Sequence, residues 1–291
     1  MRKLIILMFW VCLGLTLASF GGALHGLGDS LAVFRFWWAL GLSLSSLLLL
    51  RGHWRLAGIG AAAVVLAAAP MVIGTLRPNQ LGELDYALYQ KNLLWNGTDR
   101  GAIVQDILSI SPDFITLQEI SRENKTIYET LAKQYQSRIF CTGPGPGGIA
   151  VLSNYPLIAG SGKCAFKKGY AAIQVSTPDG PLWVVVLHLR WPFPLGQGEQ
   201  VAELIPELEA LDGMIVVGGD FNMVPWSNTM RVIEDATNSK RAGPVLRTFL
   251  QERSPLRLPI DHILVPSGRG KLQSRPLFGS DHLGLLLRFN L

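Results

Sequence analysis

Two patterns of apolar residues divide the chain near residue 77. Before it, three long runs, Leu4 to Phe20, Phe36 to Leu50 and Ala57 to Gly74, are built of Leu, Ala and Val with almost no charge. The first and third approach the roughly 20 residues that cross a bilayer as a helix, and the second does so once Leu31 to Phe34 are added, with Arg35 snorkelling to the interface. They predict about three transmembrane helices, near residues 4–20, 31–50 and 57–74. The competing expectation is a cleaved signal peptide followed by two membrane segments, since Met1-Arg2-Lys3 is a basic start and Leu17-Ala18-Ser19 offers small residues for cleavage. After a linker at 78–84 the apolar runs shorten to strand length. Phe114 to Leu117 runs into Gln118-Glu119, Val184 to Leu187 into His188, and Met214 to Val217 into Gly218-Gly219-Asp220. Asp99 to Ser109, Ser121 to Gln134 and Gln200 to Leu211 read as helices, the last with Val201, Leu204, Ile205, Leu208 and Leu211 on one face. Residues 85–291 suffice for one domain with one sizeable core.

Charge follows the same division. Of the net +5, residues 1–77 hold six Lys or Arg and one Asp, leaving 20 residues of each sign for the rest. The basic balance therefore belongs to the apolar runs and does not mark the following domain as a polyanion binder. Arg2 and Lys3 precede the first run and Arg51 and Arg55 separate the second and third, whereas Gly21 to Ser30 carries Asp29 and no Lys or Arg. Basic flanks on the cytoplasmic side predict an integral protein of a bacterial inner membrane, with the domain outside the cytoplasm. One local excess remains: Lys240 to Arg275 holds eight basic residues against Glu252 and Asp261. It reads equally as a track for a phosphate chain or anionic lipid, and as a solvated loop. Cys141 and Cys164 would pair in an oxidising space, although two separate buried thiols are the preferred reading.

The chemistry gathers where strands stop. In extended chain, residues two apart share a face, so Asp220 and Asn222 can converge on one bound group while Gly218 and Gly219 admit close approach of other backbone. A tight turn with both side chains on their own backbone is the alternative. Asp261, within the apolar run Ile260 to Val265, is costly unless paired, and His282 in Ser280-Asp281-His282 is its natural partner. His262 points away from Asp261 and reads as a packing or surface residue, and His25, His53 and Asn96 read as structural. No Cys/His set has zinc spacing.

In this order, Asn92 within Lys91 to Trp95, Glu119 after Leu117-Gln118, the segment Gly148 to Pro156, His188, Gly219-Asp220-Phe221-Asn222, Asp261 and Ser280-Asp281-His282 resemble the endonuclease/exonuclease/phosphatase family of metal-dependent phosphodiesterases related to deoxyribonuclease I. The resemblance covers residues 85–291. It implies an α+β fold, a four-layer α/β/β/α sandwich of two mainly antiparallel sheets, with the site at one end. It further implies a divalent ion, Mg²⁺ or Mn²⁺, held by Glu119 with Asn92 and Asp281. Asp220 would activate or orient water, Asn222 would hold the phosphate or that water, and His188 would donate to a non-bridging oxygen. His282, oriented by Asp261, would contact the phosphate or shuttle a proton. Asn154 lies outside this set. Leu94 stands where some nuclease relatives carry an acid, which leaves the metal shell resting on Glu119 and Asp281.

Three functions follow, in this order: a membrane-anchored nuclease outside the cytoplasm, a phosphodiesterase or phosphatase acting on a phospholipid or small phosphate ester, and an inactive binding module. Arg190 and Trp191 are candidate substrate contacts, and Trp191-Pro192-Phe193-Pro194 is either an aromatic rim or a packed loop. Expected partners are the phosphate-ester substrate, nucleic acid or phospholipid, and the bilayer, with no protein partner.

Overall fold

The computed structural model describes residues 1–97, 99–143, 147–250 and 256–291. The N-terminal quarter folds as four helices: α1 (Arg2–Ala18), α2 (Gly26–Val33), α3 (Arg35–Leu49) and α4 (Trp54–Leu76). Phe9, Leu13, Leu42, Leu49 and Ala63 interlock at the centre of α1, α3 and α4. The outer faces remain uncovered, with Leu66 68 % and Leu47 64 % exposed.

The expectation of three membrane-crossing helices is corrected here. Among the described residues, α4 alone has both the length and the apolarity to cross a membrane, and 22 % of its apolar window is buried. Helix α1 stops at 17 residues. The second segment is broken at Phe34, where α2 and α3 meet at 69°. Arg35 does not snorkel: it is 2 % exposed and donates from Nε to Ser19 Oγ and from its terminal nitrogens to the Ser19 and Trp226 carbonyls. Satisfying a buried guanidinium with fixed acceptors turns the chain inward at the point where a straight helix would continue.

Residues 78–84 form neither helix nor strand, yet they are tied down: Gln80 N donates to Gly270 O and Asn79 exchanges bonds with Leu272. Two six-stranded sheets follow. The first has β1 (Tyr86–Asn92), β2 (Phe114–Ile120), β3 (Ser137–Cys141) and β4 (Gly148–Ser153), completed near the C-terminus by β13 (Lys271–Arg275) and β14 (Gly284–Phe289). Its order is β13-β14-β1-β2-β4-β3, with β1 and β2 parallel and the other neighbours antiparallel. The second comprises β5 (Lys163–Ala165), β6 (Tyr170–Thr177), β7 (Gly180–His188), β8 (Met214–Asp220), β9 (Lys240–Arg241) and β12 (Asp261–Val265). It runs β5-β6-β7-β8-β12-β9, with only β7 and β8 parallel. A short ribbon, β10 (Phe249–Leu250) with β11 (Arg257–Leu258), lies outside both sheets.

The period of two sets the layers. Tyr86, Leu88, Phe114, Val184, Val186, Val216, Ile263 and Leu285 meet between the sheets. Ile115 and Leu117 face outward toward Ile103 and Ile107 of α5 (Arg100–Ile110) and Ile127 of α6 (Lys125–Leu131). Val185 and Val217 face Val201, Leu204 and Leu208 of α7 (Gln197–Glu209) and Met230 of α8 (Asn228–Ala236). This is the expected α+β sandwich. Helix α8 escaped the sequence reading, although its cap is legible: Ser227 accepts from Met230 N.

Cys141 and Cys164 form a disulfide, correcting the preference for free thiols. They are separated by 23 positions in sequence but brought together by β3 and β5 at neighbouring edges of the two sheets.

Candidate active site

The inner faces of four strands change from apolar to polar at one end. On β1 the inward series Tyr86, Leu88 ends in Gln90 and Asn92; on β7, Val184 and Val186 end in His188; on β8, Val216 and Gly218 end in Asp220; and β12 begins there with Asp261. In register, His188 lies opposite Asp220, and Asp220 opposite Asp261. A Cβ at Gly218 would meet the Thr116 side chain of the facing sheet, so this glycine lets the layers close just beneath the site.

Glu119 reaches the site by a departure from the alternation. Its neighbours Gln118 and Ile120 are in β2, where position 119 would face the outer helices, but the pairing with β4 slips between Leu117 and Ile120 and Glu119 adopts φ 57°. This left-handed residue in a bulge turns the carboxylate inward, backbone strain located at the wall of the cavity. Glu119 accepts from Asn92 Nδ2 at 2.9 Å and from Trp95 N at 2.9 Å. Asn92 also donates to Asp220 Oδ2 at 3.0 Å, so its amide bridges the two acids while its Oδ1 accepts from Leu94 N.

Asn222 is not part of an extended pair with Asp220, a correction to the same-face argument. The strand ends at Asp220, Asn222 has φ 46°, and its backbone N donates to Asp220 Oδ1 at 2.9 Å. The turn is made by the Asp220 side chain alone: Asn222 Nδ2 donates to Leu189 O, its buried Oδ1 has no hydrogen-bond partner, and Asn222 lines the cavity.

His282 Nδ1 lies 2.8 Å from Asp261 Oδ2, and its Nε2 lies 3.8 Å from both Asp220 Oδ2 and Asp281 Oδ1. Asp261 is further held by Gln90 Nε2 at 3.0 Å, and its backbone N donates to Thr248 Oγ1 at 3.1 Å. Burial alone would depress His282, but the Asp261 and Asp220 carboxylates outweigh it and raise the imidazole to about 10. Asp261 moves the opposite way: burial opposes ionisation, and the His282 charge with bonds from His282, Thr248 and Gln90 brings it below the usual carboxylate range. Asp220 is pushed up to about 7 by burial, against the lowering effect of His282 and with Asp261 adding to the rise. Burial holds His188 below its ordinary value despite Glu119. The surroundings thus favour charge on His282 and Asp261, oppose it on Asp220, and disfavour protonation of His188 across the cavity.

The cavity, about 610 Å³, is lined by Glu119, His188, Asp220, Asn222, Asp281 and His282 on its polar side, with Lys167 and Arg190 as its basic residues. Trp95, Phe166, Trp191 and Phe249 complete the wall. Ligand atoms of Glu119, His188 and Asp220 lie within 4.8 Å of one another. Two buried oxygens, Asp281 Oδ1 and Asn222 Oδ1, lack hydrogen-bond partners. Carboxylate and amide oxygens of this kind suit a hard divalent ion, so the donor set fits. The close set includes His188, which the sequence reading assigned to phosphate, and does not include Asp281.

Of the other expectations, His262 faces away, stacks edge-on to Phe221 and bonds Met223 O, and burial brings it down to about 4. Asn154 lies at Pro112, outside the site. Trp191 packs on Phe249 and lines the cavity, while Phe193 is 44 % exposed. Three of the basic residues of the stretch Lys240 to Arg275 have partners of their own, while Arg247, Arg257, Arg269 and Lys271 are exposed. Lys240 pairs with Glu234 and Asp235, Arg241 donates to the Ala242, Gly243 and Pro244 carbonyls, and Arg275 pairs with Asp106. Glu252 and Arg253 lie outside the described residues.

Sequence reasoning gave no role to Gln90, Thr248 and Lys91, nor to Ser280 within its motif, whose Oγ donates to Asn92 O and accepts from His282 N. Gln90 was within reach, being two positions before Asn92 on the same strand face. Buried Lys91 points to the other side, where its ammonium donates to the carbonyls of Pro276, Leu277 and His282 and clamps the loop that carries Asp281 and His282. Only the tertiary fold brings that loop to it.

Residues 77–282 match the model of the Endonuclease/Exonuclease/phosphatase family. Comparison with curated proteins gives no match. Among solved structures, the human Nocturnin catalytic domain with bound sulfate is similar at TM-score 0.56 and 19 % identity, covering 73 % of this chain and 96 % of that one. The 3′ phosphatase NExo from Neisseria bound to product DNA hairpin is similar at 0.56 and 16 %, covering 71 % and 100 %. A beta toxin variant from Staphylococcus aureus with bound magnesium ions gives 0.53 and 14 %, covering 70 % and 99 %. At these identities the likenesses are likenesses of fold.

Proposed function

The chain belongs to the endonuclease/exonuclease/phosphatase family, and from that premise we propose that it is a divalent-metal-dependent hydrolase of phosphate esters working at a membrane surface. The observation that carries this reading is the convergence of Glu119, Asp220, His188 and the Asp261-held His282 on one cavity. Mg²⁺ or Mn²⁺, held by Glu119 with Asn92 and Asp281 beside it, would neutralise phosphate charge and stabilise the leaving oxygen. Cationic His282 faces the phosphate and donates from Nε2. Asp220, near neutrality before charge is added, accepts a proton from water. Asn222 Oδ1 orients that water, and neutral His188 donates to a non-bridging oxygen.

The positions of the basic side chains support a lipid or small phosphate ester over a polynucleotide. A tracked nucleic acid strand needs several free cations along its path. Among the described residues, the cavity is lined by Lys167 and Arg190 and by none of the basic residues of 240–275, of which Lys240 and Arg275 are ion-paired and Arg241 is bonded to nearby carbonyls. The nuclease reading keeps one support of its own: Trp95 at 46 % and Trp191 at 37 % exposure offer stacking faces at the mouth. For the cell, we read residues 1–77 as an anchor with α4 as its span and Arg51 and Arg55 at the cytoplasmic end, which leaves residues 85–291 outside the cytoplasm.

The test is hydrolysis by the full chain in detergent micelles, with Mg²⁺, Mn²⁺ or chelator, across phospholipid vesicles, plasmid DNA, RNA and bis(4-nitrophenyl) phosphate, with Asp220→Ala as the blank. Metal-dependent release from lipid or the small ester is expected. Nicking of DNA alone moves the assignment to the nuclease, and no turnover on any substrate overturns the proposal.

A further inference from the structure

Asp29 is the one acidic residue among the first 77, and it is 5 % exposed. Its side chain does not serve the helices it belongs to. Oδ1 accepts from Asn228 N at 2.8 Å, and Oδ2 accepts from Thr229 N at 2.9 Å and Thr229 Oγ1 at 2.8 Å. These groups open α8, which has no acid of its own in its first turn. A carboxylate there meets both the unpaired N–H groups and the positive end of the helix. The elbow that brings Asp29 across is sterically tight: a Cβ at Gly28 would run into the Gly21 backbone, and one at Gly22 into Asp29 itself.

The rest of α2 touches the active-site rim. Ser30 Oγ donates to Phe193 O at 2.7 Å, and the His25 ring packs edge-on to Phe193 with centroids 4.9 Å apart. Ala32 O accepts from Trp226 Nε1 at 2.8 Å. Val33 packs on the cluster of Phe249, Leu258 and Ile260. Phe249 in turn lies 5.7 Å from Trp191 and 5.1 Å from His282, ring to ring. Beneath the rim, buried Gln197 donates to Arg190 O at 2.6 Å and Phe221 O at 3.0 Å, and its Oε1 lies 3.4 Å from Thr229 Oγ1. One short helix thus supports two walls of the cavity, the loop 190–195 and Phe249.

We propose that α2 is a strut of the active-site rim, and that Asp29 is a positioning residue which, by docking α2 on α8, sets the substrate-binding loop Arg190 to Leu195. The N-terminal helices then do more than anchor the enzyme: their attachment determines how the cavity mouth is shaped. The kinetic half of the test rests on the phosphoesterase reading, whereas the exchange half does not.

The full chain in detergent micelles is assayed on bis(4-nitrophenyl) phosphate with Mg²⁺, and hydrogen exchange is followed in peptides covering 190–197 and 226–233. For Asp29→Ala we expect KM to rise about five- to tenfold with kcat within about twofold, and exchange to quicken in both peptides. Asp29→Asn, which keeps one acceptor oxygen, should fall between, and Arg231→Ala on the exposed face of α8 should match wild type. A role limited to stability would reduce the folded fraction, lowering apparent kcat at constant KM; that outcome overturns the proposal. So does faster exchange confined to 226–233. If Asp29→Ala does not fold, Ser30→Ala, which breaks the Phe193 contact and a longer bond to Gly26 O within α2, must still raise KM about twofold and quicken exchange at 190–197, and no change there overturns it. Absence of turnover in wild type would count against the phosphoesterase assignment, and the exchange comparison would still decide the strut.

Discussion

The helices of residues 1–76 and the sandwich that follows solve opposite problems. In the sandwich, apolar side chains are enclosed between layers and polar groups collect at one end, around a cavity. In the helices, Leu47, Leu66 and Ile73 lie on the outside, and the buried groups include Asp29 and Arg35. Under the anchor reading proposed above, lipid would surround the helices and water the sandwich, since uncovered apolar area is favourable only where the surroundings are apolar too. The comparison also teaches where the parts join: the two buried charges of the helices, Asp29 and Arg35, bond the sandwich or the elbow against it, whereas buried Ser45 and Ser46 bond carbonyls of their own helix.

The largest expected effect sharpens the sandwich side. Glu119→Gln removes the carboxylate nearest Asn92 and should lower metal-dependent turnover on the order of a thousandfold with the fold intact. Because the ligand set must be deprotonated, Mg²⁺ should raise Tm more at pH 8 than at pH 5 in wild type, and hardly at all in this variant. Wild-type turnover in Glu119→Gln would remove the metal role from this residue.

Asp261→Ala should lower kcat about a hundredfold by releasing His282. It also carries a pH signature. His282 is raised from 6.5 to about 10, so its share of stability is complete below about 6.5 and is lost as pH climbs through about 10. Asp261 is lowered from 3.8, so its share is present above that value and is lost on acidification. The Tm gap between wild type and Asp261→Ala should therefore be widest between about pH 4 and 6.5 and narrow toward pH 10.5. A gap that grows with alkaline pH would contradict the ion pair.

On the helical side, Leu66→Lys places a charge near the middle of α4 and should weaken membrane insertion by about 3 kcal/mol, roughly a hundredfold in partition into liposomes. Equal flotation of variant and wild type would break the contrast between the two surfaces. An effect of similar size, felt in stability alone, concerns the sandwich edge. Replacing Cys141 and Cys164 by Ala releases a loop of 23 positions, and loop entropy alone predicts a loss of about 3 kcal/mol in urea unfolding with the metal response unchanged.

Most of the site was legible in the chain because strands end where their apolar runs end. His188 and Asp220 are readable as polar residues at the tips of such runs and Asp261 as an acid inside one, while Asn92 and the layers came with the ordered motifs of the family resemblance. The pattern of residues alone also determined that the chain changes character near residue 77, and that His262 and Asp261 face opposite ways. What it could not carry were features decided by contacts between distant segments. Glu119 turns inward only because β2 bulges against β4, and Asn222 turns out of the strand because its N–H finds the Asp220 carboxylate. The second apolar run breaks at Phe34 because Arg35 finds acceptors at Ser19 and Trp226, and Cys141 meets Cys164 because two sheet edges coincide. Local sequence determines period and polarity, which are properties of neighbours; bends, bulges and pairings are settled by which buried polar group finds a partner, and those partners lie up to some 200 positions away.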